Sequence, residues 1–123
     1  MPEFVVALTT CPKNKSEELA RSLVEERVCA CVNIISSVKS IYHWKDEIVT
    51  DEESLLIMKT QEEYKEHLWD AIKKKHPYEV PEFVVLPIKW GSKDYLNWIS
   101  ESIKSSSWPM QYLLFVPHRQ VTH

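Results

Sequence analysis

"CVNIISSVKSIYHW" (31–44) is fourteen residues of mostly β-branched, aromatic and small side chains without glycine or proline. Such a run reads as a single, unusually long strand. Lys45, Asp46 and the acidic "TDEE" (50–53) supply a turn region, and "SLLIMKT" (54–60) reads as the returning strand. An extended hairpin of strands two and three is therefore expected, and every other element has to be placed around it.

Upstream, "EFVVALT" (3–9) is apolar on both alternating sets, Phe4/Val6/Leu8 and Val5/Ala7, as in a central strand covered on both faces. Between this strand and the hairpin, Leu19, Leu23, Val24 and Val28 form one stripe of a helix over 16–28, with Glu17 and Glu18 favouring its N-terminal dipole. Downstream, Thr60 and Glu63 have the spacing of a capping box, and Tyr64, Leu68 and Ile72 continue a second helix until His76-Pro77 stops it. "EFVVLPI" (82–88) reads as strand four. Leu96, Ile99 and Ile103 mark a third helix, capped by Ser92 or Asp94.

The order β-α-β, β-α-β, α describes a ferredoxin-like α+β split sheet with both crossover helices on one face. Strand three, like strand one, is apolar on both sets, Leu55/Ile57 and Leu56/Met58. The second sheet face thus needs a cover that 123 residues barely supply, and self-association is the expected one.

Bulk properties exclude several functions. With 44% hydrophobic and 27% charged residues the composition is that of a globular domain, and apolar runs of about five residues are too short to span a bilayer. The start "MPEFVVALTTCP" lacks the basic n-region of a signal peptide, so the cytosol is the expected compartment. A net charge of −3 with interspersed signs offers no footprint for nucleic acid. The single glycine, Gly91, rules out glycine-rich phosphate loops. Cys11, Cys29 and Cys31 are read as free thiols.

"TTCP" (9–12), "CACVNI" (29–34), "SIYHW" (40–44) with Ile48 and Glu52 beyond it, "HPYEVPE" (76–82) and "DYLNWI" (94–99) resemble, in order and spacing, the CutA family of divalent-cation-tolerance proteins. The similarity covers roughly 4–104, so a family domain is assigned to 1–106 and a C-terminal extension to 107–123, whose Tyr112–Val116 is apolar and suits an ordered contact. The resemblance implies a tight homotrimer with hairpins wrapping neighbouring subunits, much like the PII signalling trimers. It implies binding of copper and other divalent ions, a role in metal tolerance, and no established enzymatic activity or required cofactor. Mammalian members are linked to anchoring acetylcholinesterase, so a protein partner is conceivable. One departure falls at the hairpin tip, where Asp46 stands in place of the family's usual glycine.

Two candidate sites follow. Cys31, His76 and Cys11 are the metal-ligand candidates. Cys29 and Cys31, two apart, would share one face of a strand, although a small buried apolar role is the commoner use of such thiols. By connectivity Cys11 and His76 are expected at opposite ends of one subunit, so a site joining them would need a neighbour. The second candidate is an intersubunit cleft of Lys59, Tyr78, Glu79, Glu82 and Trp44, taking a small anionic ligand, or serving only to lock the trimer through a Lys59 ion pair to Glu79 or Glu82. Trp44 serves equally as a stacking surface or as buried interface. A Cys-His hydrolase is the least supported reading, since no nucleophile turn is evident.

Overall fold

A computed structural model describes residues 2–103; the extension 107–123 and its apolar pentad lie outside the described residues. The elements are β1 (Phe4–Cys11), α1 (Ser16–Glu25), β2 (Cys31–Trp44), β3 (Glu47–Gln61), α2 (Lys65–Lys75), β4 (Val84–Pro87) and α3 (Lys93–Ser102). They build one antiparallel sheet in the order β2-β3-β1-β4. This is the expected ferredoxin-like arrangement, with β1 central.

Several boundaries differ from expectation for local reasons. Helix α1 stops at Glu25 because Arg27 adopts a left-handed φ of 59°. There the Arg27 N–H bonds Val24 O and the Val28 N–H bonds Leu23 O, the pairing that satisfies the last carbonyls of a helix. The Thr60/Glu63 capping box does not form. Thr60 belongs to β3, is buried, and its hydroxyl has no partner among the described residues, while a short 3-10 turn over Glu62–Tyr64 leads into α2. Strand β4 is shorter than read, and the cap of α3 is Ser92, whose Oγ accepts from the Tyr95 N–H.

The hairpin corrects the reading of the acidic stretch. Only Lys45 and Asp46 form the turn, both at positive φ (50° and 66°), and Trp44 pairs directly with Glu47. "TDEE" is strand, because each of its residues through Glu53 has a partner on β2. Between Ile35 and Val38 the register slips: Ser36 and Ser37 together oppose Ser54, a β-bulge. Past the bulge, side chains at even positions of β2 occupy the face that odd positions held before it.

Helices α1 and α2 cover one face, where Ala7, Cys11, Leu19, Leu23, Leu56, Met58, Leu68 and Ile72 are fully or nearly fully buried. On the second face lie Val6, Leu8, Leu55 and Ile57, all half-buried, with Ile35 at 46% and Leu86 at 48% exposure. Helix α3 covers only one end of this face, packing Ile99 and Ile103 with Ala30 and Phe4. Among the described residues, nothing covers the rest of this apolar face within one subunit.

Candidate functional site

The chain from His76 to Glu82 is fastened to the sheet at three points. Past α2 the backbone of His76 turns extended (φ −77°, ψ 132°), since a residue preceding proline avoids the helical region. Its ring then reaches β1, with Nε2 2.7 Å from Thr10 O, while Nδ1 lies 3.2 Å from the Tyr78 amide. The amide can only donate, so Nδ1 is the accepting nitrogen and Nε2–H donates to Thr10. Tyr78 lies against the His76 ring at 4.8 Å and donates its hydroxyl to Glu53 Oε1 at 2.8 Å. Farther along, Thr9 Oγ1 donates to Glu82 O at 2.6 Å, and Phe83 stacks on Trp69 of α2 at 5.0 Å.

The loop and the hairpin arm enclose a cleft of about 840 Å3, lined by Tyr42, Trp44, Glu53, Tyr78, Glu79 and Glu82 among others. Tyr42 and Trp44 reach it because the bulge has placed them on the same sheet side as Glu53 and Asp51, and the Tyr42 hydroxyl donates to Asp51. Glu53 is only 4% exposed, and no ion pair reaches it among the described residues. Its surroundings are correspondingly negative. Burial first, then the bond to Glu53, holds the Tyr78 phenol above its ordinary value.

The predicted residues divide between two places. Cys11 and His76 lie at the same end of the subunit, contrary to expectation. The reason is topological: α2 runs back along β3, which is antiparallel to β1, so the helix travels with β1 and ends where β1 ends. Cys31, level with Lys59 and Val6, is five strand residues from the level of Cys11, roughly 17 Å, and on the other face. There its Sγ lies 3.7 Å from the Tyr95 hydroxyl.

The thiols differ sharply in chemistry. Burial, with a smaller contribution from Glu53, pushes Cys11 up to about 11, and burial with the nearby Cys31 pushes Cys29 up to about 12. Both stay protonated at neutral pH, which suits packing rather than ligation or nucleophilic attack. Cys29 lies in the bend before β2, so it does not share a strand face with Cys31. No group of three or more His, Cys, Asp or Glu side chains among the described residues of one subunit is disposed to hold a metal.

Lys59 lies apart from the cleft within one subunit. It projects from β3 six residues past Glu53 and bonds the Asn33 side chain, and among the described residues it forms no ion pair with Glu79 or Glu82. Within one subunit, the described lining of the cleft therefore lacks the lysine expected to receive an anionic ligand. The sequence reading missed Glu53, Asp51 and Tyr42. A signal existed, since Asp51 and Glu53 continue the odd-numbered row of Leu55 and Ile57.

Comparison with known proteins decides the family. A family model described as "CutA1 divalent ion tolerance protein" matches residues 5–102. The chain belongs to this CutA1 family. It is 44% identical over 100 residues to the divalent-cation tolerance protein CutA of Thermus thermophilus, covering 81% of this chain and 97% of that one. It is 41% identical over 106 residues to the chloroplastic CutA 1 of Oryza sativa, covering 86% of this chain but 60% of the relative, so it spans less than two thirds of the rice protein. The crystal structure of CutA1 from Oryza sativa superposes with a TM-score of 0.81 at 40% identity, covering 85% of this chain and 96% of that one. The CutA1 fold is thus shared closely, and among the described residues no helix is long and apolar enough to cross a membrane.

Proposed function

We propose that the protein acts in the cytosol as a non-catalytic homotrimer that binds copper or other divalent metal ions where subunits meet, and so contributes to metal-ion tolerance. The observation that carries this reading is the apolar part of the sheet's second face that no described residue covers, the face on which Cys31 also stands. An apolar surface of this extent on a folded subunit calls for a partner, and identical copies supply one at the lowest cost in specificity. Family membership adds the divalent cation. Of the three predicted ligands, Cys31 is the one that is half-buried and lies on the face a neighbour would cover. Cys11 is a buried neutral thiol, and both ring nitrogens of His76 are engaged within the subunit. These two serve the fold. Three free cysteines suit a compartment that keeps thiols reduced.

The test is light scattering together with copper titration of protein prepared without affinity-tag metal. A trimer mass is expected, with weaker copper binding in Cys31→Ser. A monodisperse folded monomer at micromolar concentration would overturn the trimer, and unchanged stoichiometry and affinity would remove Cys31.

A further inference from the structure

We propose that the cleft beside Glu53 binds a small organic cation, an ammonium or guanidinium group carried on a short apolar stem. Glu53 is a nearly fully buried carboxylate on the cleft wall. Its Oε1 accepts the Tyr78 hydroxyl, and no described residue bonds its Oε2. Buried carboxylates are ordinarily paired, and among the described residues no lysine or arginine lines this cleft. The other acids around it, Asp51, Glu79 and Glu82, carry the same sign. Among the described residues, the only ionisable nitrogen on the lining is that of His43, on the exposed arm.

The remaining walls define the ligand further. Trp44, 39% exposed, and Tyr42 present aromatic surface, which attracts a cation electrostatically. Ile41 and Val80 add exposed aliphatic surface suited to a methylene stem. At about 840 Å3 the space far exceeds a bare metal ion, and the carboxylates that line it are not gathered into a metal-holding group among the described residues. A cationic head on a hydrocarbon stem satisfies both the carboxylate and the apolar walls.

This inference uses no cysteine and so is separable from the metal reading, but it rests on the proposed assembly leaving the cleft open, since Glu53, Tyr42 and Trp44 stand on the face a neighbour would cover. The experiment is calorimetric titration of the full chain, in its native assembly and at low ionic strength, with n-butylammonium and with agmatine. Butyrate and n-butanol serve as controls, and zinc chloride as a separate arm. Saturable binding of one amine per chain is expected, with no binding of butyrate and far weaker binding of butanol. Glu53→Gln keeps an acceptor for Tyr78 while removing the charge, and lowers amine affinity at least about tenfold. Trp44→Leu, on the exposed arm, lowers it several-fold, so the proposal stays testable if the first variant folds poorly. The proposal falls if neither amine binds, as when a neighbouring subunit's basic side chain already occupies the place. It falls equally if Glu53→Gln binds amine like the parent, or if zinc alone binds in a Glu53-dependent way.

Discussion

Cys11 and Cys29 are buried thiols whose ionisation is opposed by the fold, and this makes the protein's alkaline limit a residue-level property. An unfolded thiol loses its proton near 9.0, whereas the folded chain holds that of Cys11 to about 11 and that of Cys29 to about 12. Between those values the unfolded state binds fewer protons. The contribution to stability is therefore complete below pH 9 and drains away as pH climbs through 11 to 12. In Cys29→Ala the loss from Cys29 is absent, so the gap in melting temperature between parent and variant should narrow steadily from pH 9 to pH 12; a constant gap would contradict the burial argument. A second residue-level test concerns Tyr78. Tyr78→Phe strips Glu53 of its hydroxyl donor and should cost about 1–3 kcal/mol in urea unfolding, more than an exposed tyrosine would. The pairing of Tyr78 with Glu53 was beyond a sequence reading, since 25 residues and helix α2 separate them and only the course of the loop after α2 returns Tyr78 to β3. His76 was legible as a helix stop because proline follows it, but its ring's destination depended on which strand α2 runs along.

At the scale of elements, the hairpin was plain in the sequence and its details were not. Length and β-branched composition revealed β2, yet the alternation of Cys31, Asn33 and Ile35 cannot be carried past Ser36-Ser37, where one extra residue exchanges the faces. Two adjacent serines leave little trace of a bulge in an apolar pattern. The consequence is large, because the exchange is what brings Tyr42 and Trp44 to the cleft. At the tip, Lys45 and Asp46 both sit in the left-handed region that side chains with a Cβ occupy at a cost. Asp46→Gly should therefore stabilise the turn by about 0.5–1 kcal/mol, since relief of that strain outweighs glycine's greater unfolded-state entropy. Slower amide exchange along 38–53 and a higher urea midpoint would show it. An unchanged or faster exchange would mean that the arm, rather than its turn, limits local opening.

For the whole molecule, the deciding feature is a sheet with two apolar faces and, among the described residues, helices enough for one. Helix α3 shields only the end of the second face near Phe4, and leaves Val6, Leu8, Ile35, Leu55, Ile57 and Leu86 partly or largely open. A charge introduced there separates assembly from folding. Ile35→Arg is the most discriminating choice, because Ile35 lies on an edge strand, is 46% exposed, and makes no contribution to the helix-covered core. Within one subunit an arginine can extend its head into water while its stem lies on Leu55, so the loss in intrinsic stability should stay below about 1 kcal/mol. In an assembly that buries this face, each subunit instead forfeits the burial of an isoleucine, about 1.5–3 kcal/mol, and must desolvate a charge as well. Repeated in every copy, that cost should convert the oligomer into monomer at micromolar concentration. Sedimentation velocity should show this while the far-UV spectrum of the variant stays that of the parent. An oligomer of unchanged mass and midpoint would mean that the second face is covered by something other than a copy of this chain.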